Sequence, residues 1–250
     1  MSIILKSRDE IDIMREANRI VAEVLSFLKT FIKPGVTTED LNNEAERITK
    51  ERGAIPGFKG YGGYPKSLCV SINEEVVHGI PDKKRYIKDG DIVSLDYGVI
   101  YKGYYGDSAI TVIVGKAKEN IKRLVDVTEK SLYLGIKQAV PGNKLGDIGY
   151  TIQQYVESNK FGVVRDFGGH GIGKELHEEP FIPNFGDKNS GVELKEGMTI
   201  AIEPMVTEGG YSVNVLNDGW TVVTADKKIA AHFEHTIAIT NNGPEILSLL

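Results

Sequence analysis

The chain has 250 residues, 41% of them hydrophobic, and carries 35 acidic against 30 basic side chains for a net charge of −5. That length supports one sizeable core, and the acidic balance excludes the electrostatic footprint of a tight nucleic-acid binder. No apolar run approaches the ~18 residues of a membrane helix, MSIILKSRDE lacks signal-peptide features, and a lone cysteine, Cys69, excludes an internal disulfide, so a soluble cytoplasmic protein is expected.

Ile11, Met14, Ala17, Val21, Leu25, Leu28 and Ile32 recur at helical spacing and predict an amphipathic helix over 9–32, stopped by Pro34-Gly35. Thr37 with Asp40 reads as a capping box opening a second helix, with Leu41, Ala45 and Ile48 on one face. The order then returns. Ile121, Leu124, Thr128, Leu132 and Ile136 predict a third helix, Pro141-Gly142 stops it, and Ile148, Ile152 and Tyr155 continue a fourth. An offset of 107 carries Pro34-Gly35 onto Pro141-Gly142 and Asp40-Leu41 onto Asp147-Ile148. It also carries IKDGDIVSLD (87–96) onto LKEGMTIAIE (194–203) without a gap. Two separated blocks at one offset indicate an internal duplication. The expected architecture is α/β, one domain over 1–250, with two pseudo-symmetric halves (about 1–115 and 116–250) of helices followed by antiparallel strands.

LDYGVIYKGYYGDSA (95–109) reads as a β-hairpin with Asp96 and Asp107 near its two ends. Strand alternation puts Val93, Leu95 and Tyr97 on one face, and Ser94 and Asp96 on the other. In the repeat, Ile200 and Ile202 share one face while Ala201 and Glu203 share the other. FEHTIAI (233–239) is expected to put Glu234 where Asp107 stands in the first hairpin. Four carboxylates would then converge near the pseudo-axis with no Lys or Arg beside them in these strands. Such a group cannot stay ionised in an apolar pocket without a counter-charge, and divalent metal, two ions for this many oxygens, is the natural neutraliser. His170, in FGGHGIGKELHEEP (167–180), adds a nitrogen donor. Gly168 to Lys174 also fits G-x-x-x-x-G-K, but Glu175 stands where a phosphate loop needs Ser or Thr, and two prolines follow where a helix should begin.

Asp96, Asp107, His170, Glu203 and Glu234, together with GHGIG-x-x-x-H and IEP, resemble the dimetal site of type I methionine aminopeptidases of the bacterial sort, over essentially the full chain. The resemblance implies a pita-bread fold and removal of N-terminal methionine from nascent chains with a small second residue. It also implies two divalent ions (Co, Mn, Fe or Zn) held by those five residues, with Asp107 and Glu234 bridging. Glu203 would shuttle the proton, while His78 and His177 would hydrogen-bond the substrate amide and carbonyl. Tyr61, Tyr64, Cys69, Leu176 and Trp220 would line the methionine pocket, with Leu176 standing where many relatives carry an aromatic and Phe58 where some carry cysteine. The enzyme is expected to work as a monomer near the ribosome. His232 and His235 match no ligand position, and His235, alternating away from Glu234, reads as structural.

Two other readings are open. Xaa-Pro aminopeptidases and prolidases share the fold but usually carry an extra N-terminal domain, and Asp96 arrives early for one. A binding protein that kept the fold and lost catalysis would have lost ligands, whereas all five stand here.

Overall fold

The computed structural model describes residues 2–250. Among the described residues the α-helices are α1 (Arg8–Phe31), α2 (Thr38–Glu51), α3 (Glu119–Ile136) and α4 (Leu145–Ser158). The strands are β1 (Ile55–Pro56), β2 (Leu68–Ile72), β3 (Glu75–Val77), β4 (Ile92–Tyr101), β5 (Tyr104–Ile113), β6 (Gly162–Val163), β7 (Gly169–Gly171) and β8 (Glu178–Ile182), then β9 (Thr199–Ile202), β10 (Met205–Thr207), β11 (Val213–Val215), β12 (Val222–Thr224), β13 (Ala230–His232), β14 (Glu234–Thr240) and β15 (Gly243–Ile246).

The helices begin and end where their chemistry dictates. Ser7 and Glu10 cap α1 reciprocally, Thr37 and Asp40 do the same for α2, and each box satisfies backbone N–H groups that the first turn leaves free. Ile32 closes α1, its amide bonded to the Leu28 carbonyl at 2.9 Å. The predicted apolar stripe of α1, from Ile11 to Leu28, is buried.

The main sheet runs β1-β4-β5-β14-β9-β7-β8, with β2 added on β4 and β15 on β14, and its pairs are antiparallel. Two short three-stranded sheets, β13-β10-β6 and β11-β12-β3, complete the fold. One face of the main sheet is apolar. Val93, Leu95, Tyr97 and Val99 pack under α1 and α2, and Ile200, Ile202, Ile237 and Ile239 pack with the buried faces of α3 and α4.

The duplication is visible in the backbone. Thr37 bridges Tyr86, and Lys144 bridges Glu193 at the same offset of 107. Gly35 donates to the Ile87 carbonyl at 2.9 Å, and Gly142 donates to that of Leu194 at 3.0 Å. Both glycines sit at φ +91°, a left-handed turn that a side chain would strain. The hairpins β4–β5 and β9–β14 meet along β5 and β14, so one sheet passes through both halves.

The register corrects one expectation. Gly98 pairs with Asp107, and Met205, its counterpart in the repeat, pairs with His232. His232, not Glu234, therefore stands where Asp107 does. Leu95 pairs with Ile110 and Ile202 with His235, which makes Glu234 the counterpart of Ala109. The reason is the insertion: four short strands, β10 to β13, separate β9 from β14, so spacing along the chain could not set the pairing.

Candidate metal centre and active site

The site is built across five neighbouring strands, β4, β5, β14, β9 and β7. Ala109 on β5 pairs with Asp96 on β4 and with Glu234 on β14, so the two acids flank a small residue on one face of the sheet. Asp107 shares that face two residues along β5, since successive side chains alternate. Glu203 follows the last residue of β9. His170 reaches the same basin from β7, where it pairs with Ala201. That approach depends on Gly169, because a Cβ there would lie 2.1 Å from the Ala201 carbonyl oxygen.

The donor atoms face one another. Atoms of Asp107, His170 and Glu234 all lie within 4.8 Å of each other. His170 Nε2 is 3.8 Å from Asp107 Oδ2 and 3.6 Å from Glu203 Oε1. Its Nδ1 lies 2.9 Å from the Gly171 carbonyl oxygen, which can only accept, so Nδ1 carries the proton and the Nε2 lone pair points at the acids. A lone pair aimed at carboxylates repels them unless a cation lies between. Asp96 Oδ1, Asp107 Oδ1 and Glu234 Oε1 are buried without a hydrogen bond, although buried polar atoms are normally paired. Among the described residues, the ion-pair contacts of these four acids are with histidines alone. The donor set therefore fits divalent metal.

Protonation follows the same logic. Burial pushes Asp96 up to about 7, with Glu203 adding to the rise, and burial pushes Glu203 up to about 8. Asp107 and Glu234 are driven well above the carboxylate range by burial and by the other acids. Burial pushes His170 down to about 3 and His78 down to about 4, so both imidazoles are neutral. Without metal, the folded state binds protons on Asp96 and Glu203 that the unfolded chain releases near 4. That contribution to stability is complete below the ordinary carboxylate pKa and is lost as the pH rises through about 7 to 8. Chelated protein is therefore expected to fall further behind metal-loaded protein in Tm as the pH rises from about 5 to about 9. Paired thermal scans at each pH check this, and a gap that stays constant would contradict it.

Every residue predicted for the site lines one cavity: the four acids and His170 just described, His78 and His177, and Tyr61, Tyr64, Cys69, Leu176 and Trp220. Phe58 joins them. His78 sits at φ +61°, a left-handed backbone that turns its ring between Phe167 and Trp220. Tyr61 OH lies 2.8 Å from His177 Nδ1, and the His177 ring stands edge-on to His170 at 4.4 Å. Tyr64 OH bridges the Leu68 and Gly79 carbonyls, and its ring meets Trp220 edge-on at 5.1 Å. His235 faces away as expected, with Nδ1 2.8 Å from Ser248 Oγ and Nε2 3.2 Å from Tyr133 OH. His232 was missed. Its Nε2 lies 3.6 Å from Glu203 Oε2, and its spacing of two from Glu234 was the available signal.

The fold and the donor set define a metal-dependent hydrolase with an apolar pocket beside its acidic floor. The profile of metallopeptidase family M24 matches residues 12–241, and the chain belongs to that family. A methionine aminopeptidase from Clostridium acetobutylicum is 53% identical over 247 residues, covering 99% of each chain. The crystal structure of a methionine aminopeptidase from Thermotoga maritima superposes with a TM-score of 0.98 at 51% identity, covering all of both chains. A prolidase from Pyrococcus horikoshii shares the fold alone, with a TM-score of 0.76 at 24% identity over 98% of this chain and 63% of that one.

Proposed function

We infer that the protein is a metallo-aminopeptidase that removes N-terminal methionine from chains whose second residue is small. The observation that carries this reading is one cavity with four acids and a histidine able to ligate metal at its floor and an apolar pocket at its side, in a chain about half identical to methionine aminopeptidases along its whole length. That full-length similarity favours this activity over Xaa-Pro cleavage. The whole chain acts as one catalytic unit, because a sheet continuous through both halves carries the floor.

Asp96, Asp107, His170, Glu203 and Glu234 would hold two divalent ions, with manganese, iron, cobalt and zinc all compatible with one imidazole among carboxylates. Bound there, such ions polarise a carbonyl and acidify water. Glu203 takes the proton of the water that adds to the scissile carbonyl carbon and returns it to the departing amine nitrogen, so the peptide bond breaks with protons balanced. His78 and His177, neutral at the rim, hydrogen-bond the scissile amide and carbonyl. Tyr61, Tyr64, Cys69, Leu176 and Trp220 receive the methionine side chain, and Phe58 narrows the space beside them. The substrates are nascent chains met near the ribosome, by a cytoplasmic monomer. Among the described residues, no helix is long and apolar enough to cross a membrane.

A peptide panel tests the reading. Chelated protein refilled with defined metals should release methionine from Met-Gly, Met-Ala and Met-Ser peptides. It should spare Met-Lys, Met-Phe, Ala-Pro-Ala and N-formyl peptides, because bulk at the second residue meets the crowded floor and a blocked amine cannot bind. Norleucine should substitute for methionine, since one methylene or its analogue is worth only roughly 1–3 kcal/mol in such a pocket. Equal cleavage of Leu-Ala, Lys-Ala and Met-Ala would make the enzyme a general aminopeptidase.

A further inference from the structure

His232 ends β13 at the register position that Asp107 holds in the first hairpin. Thr111 clamps its backbone from both sides: the hydroxyl donates to the His232 carbonyl at 2.7 Å and accepts from the His232 amide at 3.0 Å. The imidazole is thus delivered into the site from a fixed backbone. It is 1% exposed, and its Nε2 is buried without a hydrogen bond. Among the described residues, the carboxylate within 4.0 Å of that nitrogen is Glu203, whose Oε2 lies 3.6 Å away. The other oxygen of Glu203, Oε1, faces His170 Nε2 at the same 3.6 Å. One carboxylate therefore stands between two imidazoles.

The two rings differ in what they can do. His170 commits its proton to the Gly171 carbonyl and stands within the cluster of donor atoms formed with Asp107 and Glu234. His232 lies outside that cluster. A buried imidazole nitrogen beside a carboxylate oxygen, with no other acceptor bonded to it, has one favourable state: Nε2 protonated and donating. A small rotation of either side chain brings 3.6 Å to hydrogen-bond distance.

We propose that His232 is a positioning residue for Glu203, donating from Nε2 to Oε2 and so keeping Oε1 turned towards His170. The role rests on the reading of Glu203 as a ligand and proton carrier. It also gives the duplication a division of labour. At one register position, the first half supplies a carboxylate to the floor, and the second supplies a donor that orients a carboxylate.

The test combines manganese titration calorimetry with peptide kinetics on His232→Ala, His232→Gln, Glu203→Ala and the double variant His232→Ala/Glu203→Ala, with a thermal scan of each to verify folding. Losing a hydrogen-bond partner of a ligand typically costs 10- to 100-fold in metal affinity or activity. His232→Ala should weaken manganese binding and lower kcat by at least ~10-fold with the number of ions unchanged, and His232→Gln, whose amide donates, should recover most of both. The double variant should bind no more weakly than Glu203→Ala, because the two residues act through one contact. Wild-type affinity and turnover in His232→Ala would overturn the proposal, as would losses that add in the double variant. A lost ion in both His232 variants would mean direct ligation and would also overturn it. Should Glu203→Ala bind manganese like the wild type, the ligand reading of Glu203 fails, and this inference fails with it.

Discussion

Replacing Asp107 or Glu234 with alanine is expected to abolish peptide hydrolysis and to strip metal from the purified protein. Each is buried, at 4% and 2% exposure, and each leaves a carboxylate oxygen without a hydrogen bond. Burial and neighbouring acids drive both well above the carboxylate range, Asp107 among those acting on Glu234, so their charges coexist only across a cation. Losing a carboxylate whose charge only a cation can balance should release bound metal, and elemental analysis of dialysed variants reads this directly. Unchanged metal content in both variants would sink the reading of these two acids as ligands. The same charges predict an opposite effect on stability. Asp107→Asn keeps the shape of the side chain but removes an acid that the metal-free fold holds protonated and the unfolded chain ionises, so the chelated variant should unfold at a higher temperature than chelated wild type near pH 8. Function at this site is held against the stability of the empty fold.

His78→Ala and His177→Ala are expected to lower kcat by roughly 10²–10³ each while leaving bound metal intact. Both rings line the cavity without belonging to its donor cluster. His177 is braced through Nδ1 by Tyr61 OH, and His78 is turned inward by a left-handed backbone flanked by Phe167 and Trp220. Groups held this firmly at the rim strengthen their hydrogen bonds as charge develops on the reacting carbonyl, which is why the loss should fall on kcat more than on metal content. Tyr61→Phe offers a milder companion, since it removes the brace and spares the imidazole. Near wild-type turnover in both histidine variants would return them to ordinary loop residues.

Much of this was legible in the chain because it is governed by local rules. Helical spacing from Ile11 to Leu28 and the capping pair Thr37 and Asp40 report what neighbouring residues do to one another, and α1 and α2 stand within a residue of their predicted starts. Period-two alternation was enough to assign Leu95 to the core and Asp96 to the opposite face, and a gapless offset of 107 was enough to pair Asp96 with Glu203. Pairing across the inserted strands β10 to β13 obeys no such rule. Pairing of β10 with β13 made His232 the counterpart of Asp107, and pairing of β5 with β14 set Glu234 opposite Ala109. The neighbours of an imidazole are likewise set by packing from distant segments. The helices and the duplication follow from period and spacing, which the order of residues carries without any fold. That His232 joins His170 beside Glu203 was settled in three dimensions, because the contact crosses a gap in the chain whose length says nothing about where its strands pair.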